Sequence, residues 1–349
     1  MKTMKKAAAL GLAIIMTAGL TACGGSATKE TQAAAAETTA QTEAASEAAA
    51  TEAPAAEGET YTVGICQLVQ HVALDAATQG FKDAITEQLG DSVEFIDQNA
   101  QGDSNTCSTI INDFVAKEVD LILANATAPL QAAAAGTNEI PILGTSVTDY
   151  ATALEISDWS GTVGGNISGT TDLAPLDGQA AMLQELFPDA KNVGLLYCSA
   201  EANSEYQITV IEEALTGMGY ACERYAFTDT NDIATIVQNA VSASDVIYVP
   251  TDNAAASNTE IINNICEPAG IPVVAGEEGI CAGCGVATLS ISYYDLGYAT
   301  GKMAVEILQG GDISTMPVQS APNFTKKYVA SRCETLGVTI PDDYEAVEE

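Results

Sequence analysis

Polar side chains that could hold a small charged molecule recur in this sequence at one kind of place, directly after short apolar runs. Gln67 and His71 follow Gly64-Ile65-Cys66, and Asn125 and Thr127 follow Leu121-Ile122-Leu123-Ala124, with Pro129 opening a helix. Thr145, Ser146 and Thr148 come after Leu143. Further on, the same pattern yields Ser199, Glu201, Asn203 and Ser204, then Thr251, Asp252 and Asn253, then Glu277 and Glu278. Ligands of open parallel sheets bind beyond the carboxyl ends of the strands, so these are the groups that would face one. Thr127 and Thr145, with backbone amides at the helix start after Asn125, suit a carboxylate. Asp252, with Glu278 or Asp172 as a second acid, suits an ammonium, and Gln67 and Asn203 would orient the ligand from opposite sides. Together they suit a zwitterion. Thr127, Thr145, Asn203 and Asp252 could equally be helix caps. Capping alone leaves the adjacent acids Glu277 and Glu278 unexplained.

Catalysis is poorly served. One histidine stands in the chain, which rules out a histidine-based metal cluster. There is no G-x-S-x-G elbow, no G-x-x-x-x-G-K-[ST] phosphate loop and no G-x-G-x-x-G after a strand. His71 reads as a helix-start residue or a pocket wall. Asp172 and Asp252 could be imagined as a glycosidase pair, but acids are so abundant here that such pairs arise freely. Cys281-Ala282-Gly283-Cys284 lacks a second pair or a nearby histidine, so it reads as a local disulfide or two free thiols rather than a zinc site. No catalytic residue, cofactor or metal is expected.

The elements that must position these groups alternate. The reading is strand at Tyr61–Cys66, helix at Val72–Leu89, strand at Ser92–Asp97, helix at Asn105–Lys117, strand at Val119–Ala124, helix at Ala128–Gly136 and strand at Ile140–Thr145. A Gly- and Ser-rich pause over Asp149–Thr171 holds the single tryptophan, Trp159. The alternation restarts with a helix from Pro175 to Phe187, and continues through strands at Asn192–Cys198, Ala221–Phe227, Asp245–Pro250, Ile271–Ala275 and Gly285–Ile291. Helices at Ala202–Met218, Ile233–Ser242 and Ala254–Glu267 separate them, and Tyr294–Leu308 is a last helix before a proline-bearing tail. Continuous apolar strands alternating with helices predict an α/β fold of two doubly wound parallel-sheet lobes with a ligand cleft between them.

Composition narrows the partners. Asp and Glu number 47 against 12 Lys and Arg, a formal net charge of −35, which repels phosphate backbones and anionic lipid and excludes nucleic-acid binding. From residue 24 to residue 60 the chain is almost entirely Ala, Glu, Thr, Ser and Gln, too poor in branched and aromatic residues to fold, and reads as a tether. Ahead of it, Lys2, Lys5 and Lys6 precede an apolar run from Ala7 to Leu20, the pattern of an export signal. Of the nine cysteines, most of those after Cys23 sit in apolar runs, where they act as small core residues; free buried thiols outside the membrane would suit life without oxygen.

Leu20-Thr21-Ala22-Cys23 resembles the lipobox of bacterial lipoproteins, which implies residues 1–23 as signal and Cys23 as the lipidated mature N-terminus on the outer face of the cell membrane. Residues Gly64 to Ala76, Asn99-Ala100-Gln101-Gly102-Asp103, Asn166 to Leu173, Tyr248 to Asn253 and Ser292 to Gly297 resemble the ABC-transporter substrate-binding lipoproteins of the tryptophan/tyrosine-binding type, over roughly residues 61–340. The resemblance implies a type I periplasmic-binding fold with three crossings, dividing the chain into 61–171 with 291–311 and 172–290 with 312–349. It implies capture of a free amino acid, Trp, Tyr or Phe, and its delivery to an ABC permease and its ATPase; the strand-end reading puts the ligand at Gln67, Asn125, Thr127, Thr145, Ser146, Asp172, Asn203, Asp252, Asn253 and Glu278, in a monomer. A receptor that signals to a membrane partner, or a binder of another small solute, stays open beside it. Gly279 to Gly285 departs from the family in being smaller and richer in cysteine than the charged stretch usual there, which bears on the side-chain end of the pocket.

Overall fold

After residue 60 the apolar runs become strands and the amphipathic runs helices in the computed structural model, which describes residues 60–321 and 323–347. The signal with Cys23, and the tether up to residue 59, lie outside the described residues. The first sheet is built from β1 (Tyr61–Gln67), β2 (Val93–Asn99), β3 (Leu121–Asn125), β4 (Ile142–Val147) and β5 (Ile167–Thr171). Between them run α1 (Val72–Leu89), α2 (Ser104–Ala116), α3 (Thr127–Gly136) and the short α4 (Tyr150–Ala153). The second sheet is built from β6 (Asn192–Cys198), β7 (Ala221–Phe227), β8 (Val246–Val249), β9 (Val273–Ala275) and β10 (Ala287–Ser290). Its helices are α5 (Leu176–Leu186), α6 (Ala202–Gly217), α7 (Ile233–Val241), α8 (Asn253–Ala256), α9 (Thr259–Ala269) and α10 (Glu278–Cys284). The chain ends with α11 (Tyr293–Leu308), β11 (Gln319–Ser320), β12 (Thr325–Tyr328), α12 (Ala330–Leu336) and β13 (Glu345–Ala346).

The sheets run β11-β5-β4-β3-β1-β2 and β13-β12-β10-β9-β8-β6-β7, and every pairing is parallel except β10 with β12. β3 and β4 are buried along their whole length, as strands covered on both faces must be. Apolar clusters line the two faces of each sheet, Phe114, Ile122 and Leu130 on one side of the first and Phe81, Leu123 and Met303 on the other. Each such side chain contributes about 1.5–3 kcal/mol by leaving water.

The last long helix, α11, lies against α1. Their backbones nearly touch: a Cβ placed on Gly297 would sit 1.9 Å from the carbonyl oxygen of Ala77, and one on Gly80 would sit 2.1 Å from that of Tyr294. Only glycine permits that approach. The contact fixes Ser292 and Tyr293, at the head of α11, beside the head of α1.

Four local expectations change. The Gly- and Ser-rich interval contains α4, capped by Asp149 onto the amide of Thr152 at 2.7 Å, and the edge strand β5. The single helix expected over Ala254–Glu267 is two, because Asp252 caps α8 and the chain turns at Ser257-Asn258 before α9. Residues 313–320 do not join the second lobe as expected: Gln319 and Ser320 pair with Thr170 and Thr171, and Ile313 and Met316 are buried with the first core. The tail is structured, since β12 pairs antiparallel with β10 and α12 docks through Arg332, whose guanidinium donates to the carbonyls of Cys281, Ala282, Gly283 and Gly285. Cys66, Cys107, Cys198, Cys222, Cys266, Cys281, Cys284 and Cys333 are all free, and all but Cys222 are buried.

Candidate functional site

The chain passes between the sheets three times, after β5, after β10 and after β11. The first two crossings carry functional-looking groups. Asp172 follows β5 and Tyr293 follows β10, and the Tyr293 hydroxyl donates to Asp172 Oδ2 at 2.8 Å. Between the carboxyl ends of the two sheets lies one small polar cavity. Its walls are His71, Leu74, Ser146 and Thr148 from the first lobe, Asp172 and Tyr293 from the crossings, and Asn203, Thr251, Asp252, Asn253, Ala256 and Glu277 from the second. Its volume is about 10 Å³, close to the roughly 10–15 Å³ that one water requires on this measure. The lobes are shut, and anything larger enters only when they part.

The second-lobe wall is saturated with hydrogen bonds. Asp252 takes the amide of Cys198 on Oδ2 (2.6 Å) and that of Ala255 on Oδ1 (2.8 Å). Glu277 caps α10 through the amides of Gly279 (2.5 Å) and Ile280. Glu201 accepts from the backbone and side chain of Asn253, from Ala254 and from Asn203. Gln207 bridges the amide and carbonyl of Thr251. Burial pushes the carboxyls of Asp252 and Glu277 up to about 7 each; the Glu201 charge adds to the first, and the Glu278 and Asp172 charges to the second.

The first-lobe wall has capacity left over. Among the described residues, His71 Nδ1, Ser146 Oγ and Asp172 Oδ1 in the wall are buried polar atoms without a partner, and Asn125 Oδ1 and Thr127 Oγ1, outside it, are others. Two first-lobe residues hold backbone conformations that L side chains rarely adopt, Ser146 of the wall at φ 54° and Ala126, before α3, at φ 105°. Such strain tends to collect at working sites. Ser146 occupies the irregularity where the β4–β5 register shifts between Gly144 and Val147, the kind of bulge that re-aims a side chain. Asp172 is 3% exposed; burial raises its pKa, against the hydrogen bond from Tyr293 that favours the charged form.

The ten residues expected at the site divide. Ser146, Asp172, Asn203, Asp252 and Asn253 come together at the cavity. Gln67, Asn125 and Thr145 stand side by side in register at the strand ends, but they are turned to internal work. Gln67 donates to Asp75 and accepts from Thr78, tying β1 to α1; Asn125 donates to the Leu74 carbonyl and to Thr78. The Thr145 hydroxyl joins a buried trio with Thr170 and Thr300. Thr127 is the first residue of α3, buried but outside the cavity wall. Glu278 points away and pairs with Lys327 at 2.6 Å, while its neighbour Glu277 takes the inward place. α10, missed in the sequence, sets that choice: its capping residue must turn back over the helix start, and the next residue turns out. The wall also includes residues outside the expected ten. Thr148, Thr251 and Glu277 were legible as strand-end polars, whereas Tyr293 lay in the Ser292–Gly297 stretch of the family resemblance without being singled out as a wall residue.

Two α/β lobes shut on one polar cavity, with the connecting segments forming part of its wall, define a solute receptor that works by closing. Residues 62–347 match the family model of the ABC transporter substrate binding proteins, and the chain belongs to that family. It is 34% identical over 259 residues to the tyrosine-binding protein of Clostridioides difficile, across 73% of this chain and 75% of that one. Its fold is the type I periplasmic-binding fold. It superposes with TM-score 0.79 and 29% identity on a Streptococcus pneumonia ABC domain in complex with L-Trp, covering 83% of this chain and 100% of that one. On the ligand-free, open structure of a substrate-binding protein with adhesive properties from Clostridium difficile, identity is 34% but the TM-score 0.64, over 83% and 99% of the chains. The more identical structure is the less similar in shape, as expected when that one is open and this one shut.

Proposed function

We propose that the protein captures a free aromatic amino acid, tyrosine, tryptophan or phenylalanine, between its lobes and passes it unaltered to an ABC permease with its ATPase. The observation that carries the reading is Asp172 Oδ1, a carboxylate oxygen buried at the lobe junction with no partner. The Tyr293 hydroxyl on Oδ2 is neutral and burial disfavours the charged form, so a ligand cation would complete the site by stabilising the carboxylate. An α-ammonium supplies it, and the Ser146 hydroxyl offers a donor to the carboxylate at the other end of a zwitterion. The polar cavity wall contains no lysine or arginine, so a ligand whose only charge is negative is disfavoured. Similarity to a tyrosine-binding protein and to a domain holding L-Trp supports the aromatic side chain. We further propose that Cys23 carries a lipid, that the acidic body works as a monomer at the outer face of the cell membrane, and that binding involves no turnover. No described helix is long and apolar enough to cross a membrane. Melting the protein with each of the twenty amino acids tests the reading: the aromatic ones should stabilise it, by about 2.7 kcal/mol at a hundredfold excess over Kd. No shift with any aromatic amino acid, or recovery of a chemically altered ligand, would refute it.

A further inference from the structure

His71 is the only histidine of the chain, and it stands before α1 without using its ring to cap that helix. The ring reaches across the cleft instead, with Nε2 3.2 Å from Asn253 Oδ1. The hydrogen-bond network fixes the tautomer. Asn253 Nδ2 donates to Glu201 Oε2 at 2.7 Å, and Glu201 also accepts from two backbone amides. Turning the Asn253 amide over would set oxygen against carboxylate oxygen, so Oδ1 is the atom that faces His71. A carbonyl oxygen accepts, and Nε2 therefore carries the proton. In the neutral ring Nδ1 is then an acceptor, and it is buried with no donor. The cavity wall thus offers two unused acceptors, His71 Nδ1 and Asp172 Oδ1, and one unused hydroxyl, Ser146 Oγ.

We propose that His71 is a ligand-contacting residue: its neutral imidazole accepts a hydrogen bond from the ligand's ammonium at Nδ1 while donating from Nε2 to Asn253 across the cleft. The inference rests on the amino-acid reading above and adds a residue and a coupling to it. Accepting at Nδ1 polarises the ring and strengthens the Nε2 donation, so ligand capture and lobe closure act on one side chain. A second proton on the ring would remove the acceptor and put a cation where the ammonium must sit. The charged and titratable groups around the ring are Asp75 on α1, Glu201 before α6, Asp252 before α8, Asp172 and Tyr293 at the crossings, Glu277 before α10 and Arg332 of α12 in the adjoining groove. The acids favour the imidazolium, but burial outweighs them and lowers the pKa of His71 in the shut form. Closure therefore releases a proton at acid pH, and affinity is lost as pH falls through the ordinary histidine value of about 6.5.

Calorimetry with L-tyrosine, L-tryptophan and L-phenylalanine at pH 7.5 and 5.5 tests this on wild type, His71→Gln and His71→Phe. Wild type should weaken about tenfold between the two pH values, the effect of excluding one proton of pKa near 6.5. Glutamine can donate and accept but does not titrate, so His71→Gln should bind within a few fold of wild type at pH 7.5 and lose the pH dependence. His71→Phe should bind at least tenfold more weakly at pH 7.5; if it fails to fold, the glutamine profile decides alone. Any pH effect of the carboxyls is common to wild type and the glutamine variant and cancels in the comparison. Superimposable pH profiles for those two proteins would overturn the role of His71 while leaving the amino-acid reading intact. Failure of wild type to bind all three amino acids would refute that reading itself, and this inference with it.

Discussion

Both walls of the cleft carry polar side chains, and they differ in what those groups have left to give. On the second-lobe wall, Asp252, Glu277 and Asn203, with Glu201 and Gln207 bonded to wall residues, are committed to backbone amides, carbonyls and one another. On the first-lobe side and its crossing, His71, Ser146 and Asp172 each keep a buried atom without a partner, and Ser146 is held in a strained backbone. A saturated wall is a platform: it holds its shape whether or not a ligand is present. An unsaturated wall is where a ligand's hydrogen bonds add to what the protein already makes. A carboxylate in a cleft is therefore a poor guide to binding until its partners are counted.

That difference can be broken most severely through the helix pair that holds the first wall in place. Gly297→Val drives a branched side chain into the Ala77 carbonyl and should destabilise the protein by about 3 kcal/mol or more, lowering the denaturant midpoint and abolishing binding. A normal midpoint would show that α1 and α11 do not fix the wall.

Asp252→Asn separates platform from ligand contact. It keeps the cap but has one acceptor oxygen for two amides, so the Cys198 amide loses its partner; it should cost about 1–3 kcal/mol of stability, yet change amino-acid affinity less than threefold. The pH dependence carries a sign. Asp252 and Glu277 have folded-state values near 7, above unfolded values of about 3.9 and 4.3. Their protonated forms favour the fold, so stability from these groups is present below about pH 4 and lost as pH rises through 7. Melting curves of Asp252→Asn combined with Glu277→Gln should be flatter over that window than wild type.

Ser146→Ala removes a donor that makes no bond within the protein. It should leave the melting point of the ligand-free protein unchanged and weaken binding about fivefold to tenfold, the worth of one hydrogen bond. The smallest effect belongs to Glu278→Gln, which breaks a half-exposed pair with Lys327; under about 1 kcal/mol of stability and no change in affinity are expected. A large loss of binding in Glu278→Gln would reverse the orientation assigned to the Glu277-Glu278 pair.

The fold was legible because its signals are local and repeated. The bounds of α1 and of β6 follow from apolar spacing alone, and a parallel sheet needs little more. The elements that escaped are those whose reason is distant: β5 and β11 pair at a sheet edge 149 residues apart (170 to 319), and β12 is held by β10. The site was legible as a set of strand ends, since Ser146, Asp172, Asn203, Asp252 and Asn253 do meet. What the pattern could not carry was the division of labour. Thr145 reads like Ser146 in sequence, yet one is consumed by Thr170 and Thr300 and the other is free. That depends on partners 25 and 155 residues away, and no spacing rule reports it.

The central claim, that the free oxygen of the Asp172 carboxylate at the lobe junction holds the ligand's ammonium, is tested most directly by calorimetric titration of L-tyrosine and L-tryptophan into wild type and Asp172→Asn. The carboxamide keeps the size of the side chain and can still accept from Tyr293, but it carries no charge. Loss of a buried charge-assisted bond of about 2–3 kcal/mol should weaken binding roughly thirty- to hundredfold, with the fold intact by circular dichroism. Equal affinity in the two proteins would contradict the account and place the ammonium elsewhere.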